Sequence, residues 1–240
     1  MNSPVKLDVL AIAAHPDDVE LACSGTLVQL KKRGYRIGIL DLTRGELGTR
    51  GTAELRDLEA QESAKILGLD FRANLNFRDG FFQNEEAHQL ALIQWIRQLQ
   101  PRLVLANAPE DRHPDHGRAG SLALHACFYS GLAKVITHWE GNLQPAYRPE
   151  KVWQYIQDRW IQPSVVIDIT DSFETKIASI KAFSSQFYNP GLQEPETYIS
   201  SPDFWYQIES RARTVGHLIG VRYGEGFILP GPVEIKDPLL

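Results

Sequence analysis

Leu7-Asp8-Val9-Leu10-Ala11-Ile12-Ala13 runs straight into Ala14-His15-Pro16-Asp17-Asp18-Val19-Glu20. The first stretch has the length and apolar content of a buried strand, and Val19 to Arg33 is then patterned as a helix stopped by Gly34. A strand handing over to a helix through a turn of imidazole and carboxylate is the opening unit of an α/β sheet. The arrangement returns about a hundred residues later, where Leu103-Val104-Leu105-Ala106 is followed by Arg112-His113-Pro114-Asp115-His116.

The same alternation fills the sequence between them. Arg36 to Leu42 reads as the second strand and Thr52 to Leu67 as a helix stopped by Gly68. Arg72 to Phe77 is a third extended piece, Glu85 to Gln100 a helix ended by Pro101, and Leu103 to Asn107 the fourth strand. A helix follows from about His116 to Leu132. This order predicts an α/β, Rossmann-like fold with a mostly parallel sheet and helices on both faces. Farther on, Ser164 to Ile169 reads as a strand, Asp171-Ser172-Phe173-Glu174 as a capping box opening a helix, and Pro202 to Ile219 as the last long helix. Asn189 to Pro195 and Tyr223 to Pro232 hold much of the Gly and Pro and read as loops.

In such sheets ligands bind beyond the carboxyl ends of the strands, where the strand order reverses. With the common order 3-2-1-4-5, strands one and four flank that point, so the two histidine clusters meet in one crevice. The loops after strands two and three add Thr43-Arg44-Gly45-Glu46 and Arg78-Asp79-Gly80.

The 240 residues are expected to form one domain over 1–240, with 43% hydrophobic and 23% charged residues as in ordinary globular chains. A net charge of −5 gives no reason to expect nucleic acid or an acidic membrane surface, and no apolar run approaches the ~18 residues of a membrane helix. Cys23 and Cys127 do not make a disulfide framework and read as small buried groups in a reducing compartment. The N-terminal apolar run leads directly into the first cluster, so cleaving it as a signal would remove the site; a cytoplasmic protein is expected.

Two histidines and a carboxylate are the ligand set of an open-sided divalent metal site. His15, Asp18 and His116 are read as the ligands, and zinc would bring the pKa of a water it binds towards about 7. Neighbouring side chains diverge, so Asp17 is left free to act as the base. His113 can stand opposite, stabilising an oxyanion and protonating the leaving group. Asp115 completes the catalytic group by accepting a hydrogen bond from an imidazole and fixing its tautomer. The bland alternative is that His15-Pro16-Asp17-Asp18 merely caps a helix; the second cluster at the neighbouring strand end argues against it. His88, His125, His138 and His217 lack such neighbours, and the five tryptophans read as packing.

His15-Pro16-Asp17-Asp18 together with His113-Pro114-Asp115-His116 resembles the LmbE/PIG-L-type family of N-acetylglucosamine deacetylases. The run from Thr43 to Thr52, Glu54-Leu55-Arg56 and Tyr223-Gly224-Glu225-Gly226-Phe227 resemble its bacillithiol-biosynthesis branch in particular. The resemblance implies zinc-dependent release of acetate from an N-acetylglucosamine conjugate, with N-acetylglucosaminyl malate as the favoured substrate and another N-acetylglucosaminyl conjugate as the alternative. It implies zinc on His15, Asp18 and His116, Asp17 as base, His113 as the electrophilic or acid histidine, and Arg56 and Asp79 as residues that hold substrate. For the family's oxyanion-side tyrosine, Tyr188 and Tyr198 are the candidates. A homo-oligomer, often a hexamer, is a further implication.

Two other readings stay open on the residues alone. Two histidines and a carboxylate also make the facial triad of Fe(II) oxygenases. A non-catalytic sugar- or nucleotide-binding domain is the other, although the chain lacks a Gly-x-Gly-x-x-Gly fingerprint and binding alone does not need an Asp-Asp pair.

Overall fold

The apolar runs of the first half become strands because helices cover them on both faces. The structure, a computed structural model, describes residues 5–232. The first four strands are β1 (Val9–Ala13), β2 (Ile37–Thr43), β3 (Phe71–Phe77) and β4 (Leu103–Asn107). Between and after them run α1 (Asp18–Ala22), α2 (Ser24–Lys32), α3 (Ala53–Leu67), α4 (Glu86–Leu99) and α5 (Pro114–Tyr129). Every residue of β1 and β2 is buried, as continuous apolar runs in a parallel sheet require. Alternate residues feed two cores. Leu10, Ile12, Leu40, Leu42 and Val104 pack against Leu92, Ile93 and Ile96 of α4 and Leu122 and Ala126 of α5. Val9, Ala11, Ala13, Ile37 and Ile39 face the other way, onto Val19, Leu27 and Val28.

The chain continues through a short hairpin, β5 (His138–Trp139) with β6 (Asn142–Leu143), then β7 (Lys151–Tyr155), β8 (Val165–Asp168), α6 (Phe173–Lys181), α7 (Asp203–His217) and β9 (Gly224–Ile228). The main sheet has the order β3-β2-β1-β4-β7-β9-β8. Its first five strands follow the expected 3-2-1-4-5 arrangement and pair in parallel, and β9 adds antiparallel contacts to β7 and β8. Strands β1 and β4 are direct neighbours, so the loops after them open at the same edge of the sheet. Among the described residues no helix is long and apolar enough to cross a membrane. Cys23 and Cys127 are both free thiols and buried.

Three expectations are corrected. The helix from Val19 to Arg33 is broken at Cys23, whose φ of −143° and ψ of 13° leave the helical region. The cause lies far away in sequence: the Glu225 carboxylate accepts from the backbone N–H of Gly25 at 3.0 Å and of Thr26 at 2.7 Å, capping a fresh helix start. Gly25 permits this approach, since a Cβ there would meet Ile169 Cβ at 2.9 Å. The stretch from Tyr223 onward is no loop at its start, because Gly224–Ile228 forms the strand that joins β7 to β8. The capping box at Asp171 to Glu174 does not form. A 3-10 turn precedes α6, and the Ser172 hydroxyl donates instead to the carbonyls of Gly25 and Ile169.

Candidate active site

The turn after β1 sets the geometry. Asp17 adopts φ 117° and ψ −23°, a left-handed conformation that a non-glycine residue holds at a cost of about 1–3 kcal/mol. That kink separates the two neighbouring carboxylates. Asp18 turns inward among the imidazoles, whereas Asp17 turns to Arg56, whose Nη2 donates to its Oδ2 at 2.7 Å. Both aspartates are buried. The predicted divergence of the two side chains is thus built into the backbone.

Asp18 is the centre of the cluster. Its Oδ1 lies 3.1 Å from His116 Nε2 and accepts from Gln157 Nε2 at 2.8 Å. Its Oδ2 accepts from the His15 backbone N–H at 3.0 Å and from Asn107 Nδ2 at 3.2 Å, with His15 Nδ1 at 3.7 Å. Ring nitrogens of His15, His113 and His116 all come within 4.8 Å of one another. The far nitrogen of each proposed ligand ring is held by carboxylate. His15 Nε2 meets Asp79 Oδ1 at 3.0 Å and Asp115 Oδ2 at 3.4 Å, and His116 Nδ1 meets Asp111 Oδ2 at 2.7 Å. Asp115 therefore does face an imidazole, that of His15; it also accepts from Gly80 N–H and pairs with Arg118.

This donor set fits a divalent ion. Two imidazole nitrogens and a carboxylate converge, and each imidazole is oriented from behind by a carboxylate, the arrangement that fixes tautomer and ring plane in metal sites. The charge distribution agrees. Burial disfavours a charged His15, but the hydrogen bonds its ring donates to Asp115 and Asp79 and the charge of Asp18 outweigh it, raising its pKa to about 9. His116 rises to about 10 against its own burial, through Asp18 and Asp111. Burial would raise Asp18, yet His116 and His15 hold it far below the ordinary carboxylate range. A pocket that favours positive charge this strongly also favours a cation.

His113 is placed differently. It is the N-cap of α5, and its Nδ1 accepts the backbone N–H of Asp115 at 3.3 Å. A nitrogen that accepts cannot carry the proton, so the proton of the neutral ring is on Nε2. Burial and the neighbouring His15 and His116 lower its pKa, which keeps it neutral. Asp17 is pushed up to about 6, chiefly by burial, with Arg56 pulling the other way.

His15, Asp17, Asp18, Arg56, Asp79, His113 and His116 all line one crevice of about 310 Å³. Of the two tyrosine candidates, Tyr198 lines it and donates its hydroxyl to Asp158 and Gln207, whereas Tyr188 lies outside the lining. Both Asp79 oxygens are engaged, Oδ1 with His15 and Oδ2 with the Leu47 N–H at 3.0 Å. Sequence reasoning missed Asp111, Asn107 and Gln157. Asp111, in the loop that carries the second cluster, was within reach; Gln157 is separated from Asp18 by 139 positions and carries no local signal. Asp111→Asn should weaken metal binding by about 10–100-fold, because the His116 ring loses its charged anchor. A competition titration against a fluorescent zinc chelator reads the change; unaltered affinity would rule out the anchoring role.

The fold and cluster define a class, the open α/β hydrolases with a His/Asp centre at the strand ends, and comparison with known proteins places the chain within it. A family model described as GlcNAc-PI de-N-acetylase matches residues 10–127. The diacetylchitobiose deacetylase of Thermococcus kodakarensis is 30% identical over 93% of this chain and 83% of its own. A Bacillus anthracis protein described as a probable N-acetyl-alpha-D-glucosaminyl L-malate deacetylase 2 is 23% identical, covering 82% and 93%. Among solved structures, a conserved protein of Thermus thermophilus superposes with a TM-score of 0.85 at 39% identity, covering 95% of this chain and 97% of that one. The chain belongs to the PIG-L/LmbE family of deacetylases and is a hydrolase of carbon–nitrogen bonds. That membership sets aside the oxygenase and the non-catalytic binding module.

Proposed function

We propose that this chain hydrolyses the acetamide of an N-acetylglucosamine conjugate, with zinc held by His15, Asp18 and His116. The observation that carries the reading is the pair of adjacent aspartates split by the positive φ of Asp17, one carboxylate among imidazoles and the other on an arginine at the crevice wall. Zinc in that position supplies Lewis acidity at the amide oxygen and makes water more acidic. Asp17 takes the proton of the attacking water. Burial makes its carboxylate more basic than an ordinary Asp, and Arg56 keeps it ionised and aimed. His113 donates a hydrogen bond from Nε2 to the amide oxygen as negative charge develops there, and the proton that Asp17 has taken from water goes on to the departing amine. Asp115 and Asp79 hold the His15 ring from behind, and Asp115 offers the N–H that fixes His113.

Arg56 stands both against Asp17 and in the crevice lining, so its role as a substrate-holding residue is joined to one on the base. Arg56→Ala should lower kcat/KM by about 10–150-fold, the worth of a hydrogen bond to a charged group at about 1.5–3 kcal/mol, while metal content is kept. Unchanged kinetics would remove Arg56 from the site.

For the substrate we favour N-acetylglucosaminyl malate. Three guanidinium groups, Arg50, Arg56 and Arg112, line the crevice of a protein whose net charge is −5, and an anionic aglycone would meet them. The Bacillus anthracis relative supports this choice, and the diacetylchitobiose deacetylase of Thermococcus kodakarensis supports a neutral disaccharide instead. Acetate release from the two conjugates separates them: a higher kcat/KM for the malate conjugate is expected, and the reverse would move the assignment to chitobiose. A cytoplasmic homo-oligomer, with six copies as the expected number, is carried over from the resemblance, and light scattering reads the assembly directly.

A further inference from the structure

Beside the crevice lies a second cavity of about 60 Å³. Leu21 of α1, Ile156 after β7, Ile199, and Phe204, Ile208 and Ala212 on the α7 side give it apolar walls. The two cavities share Leu21, Arg112, His116, Gln157 and Ile199, so a proposed zinc ligand stands in the partition between them. Gln157, in the same partition, donates Nε2 to Asp18 and leaves its buried Oε1 with no partner among the described residues. A buried acceptor without a donor is costly, at about 1–3 kcal/mol, and marks a place where a ligand supplies the missing N–H.

A secondary amide bound at the catalytic cluster brings both things this partition lacks. Its N–H is a donor for Gln157 Oε1, and its acyl tail is an apolar body for the cavity. An acetyl group has only one methyl to place there. The cavity is larger than that, with room for about four to six water-sized groups at roughly 10–15 Å³ of occupied volume each. Lys176 and Glu225, paired at 2.7 Å and both buried, belong to the same lining and limit how far an apolar chain extends before it would strip a charge pair of its surroundings.

We propose that this cavity is an acyl-chain pocket, and that the protein hydrolyses N-acyl groups of about four to six carbons as well as acetyl, with Gln157 orienting the amide. The inference rests on the deacetylase reading above and deepens its substrate class. The pocket and the crevice share the residues of the partition, so the tail of an amide bound at the catalytic cluster would reach the pocket past Gln157 and Leu21.

The test is kcat/KM for N-acetyl, N-butyryl, N-hexanoyl and N-decanoyl forms of one glucosamine conjugate, together with calorimetric binding of sodium acetate and sodium hexanoate to the zinc-loaded protein. The proposal expects kcat/KM to rise about fourfold for each methylene that becomes buried, to peak by hexanoyl and to fall at decanoyl. Hexanoate should bind at least about tenfold tighter than acetate. Ala212→Phe, which fills the pocket, should lower the hexanoyl-to-acetyl ratio by at least about tenfold, and Ile208→Ala, which enlarges it, should shift the optimum to a longer chain. Acetyl hydrolysis with a flat or falling series and no preference for hexanoate would overturn the pocket. Tight hexanoate binding that Ala212→Phe abolishes, with no hydrolysis of any conjugate, would support the pocket and overturn the deacetylase reading instead.

Discussion

Asp17→Asn is expected to keep its metal and lose most of its turnover. Asn is nearly isosteric with Asp and tolerates the left-handed conformation at this position, so the turn after β1 survives the change. Its amide can still contact Arg56, but it cannot accept a proton from water at neutral pH. Removing a general base costs about 10²–10⁴-fold in rate, or about 3–5 kcal/mol of barrier. The metal is unaffected because Asp18, not Asp17, meets His116 at 3.1 Å and His15 at 3.7 Å. Asp18→Asn is the matched control: it should weaken metal affinity first and turnover as a consequence, with partial rescue by excess metal. Rescue of Asp17→Asn by metal, with none for Asp18→Asn, would reverse the two roles.

His116→Ala is expected to bring the metal content of the purified protein close to zero. The ring sits between Asp18 and Asp111, at 3.1 and 2.7 Å. Without it one nitrogen donor is gone and two buried carboxylates face each other with no cation between them. Two remaining donors are too few for the closed side of a zinc site that normally offers three. Elemental analysis after dialysis measures the loss, and circular dichroism confirms that the chain has folded. A stoichiometric ion in this variant would show that His116 is no ligand, and would turn attention to His113, whose ring nitrogen shares the cluster.

The parts of this fold that could be read in the sequence are those whose cause is local. The runs of β1, β2 and β4 are apolar because both faces of a parallel sheet are covered, and the histidine clusters follow two of them directly. Strand β7 carries no clear strand signal, because Lys151-Val152-Trp153-Gln154-Tyr155 has no regular alternation of apolar and polar residues and its buried Gln154 is spent on the Asn107 carbonyl inside the protein. Strand β9 reads as a loop in the sequence because of its glycines. Gly224 is there for space, since a Cβ would meet the Gly216 nitrogen at 2.8 Å. The break between α1 and α2 was invisible for a related reason: its cap, Glu225, lies about two hundred positions away. The site divides in the same way. His15, Asp17, Asp18, His113 and His116 announce themselves by clustering, whereas Asn107 and Gln157 acquire their places only when β4 pairs with β1 and β7 with β4.

The most direct test of the account is a zinc titration of metal-depleted protein, read as acetate released from an N-acetylglucosamine conjugate. The account predicts negligible release without metal and a rise that saturates at one zinc per chain. Full acetate release from the metal-depleted protein, before any ion is added, would contradict it.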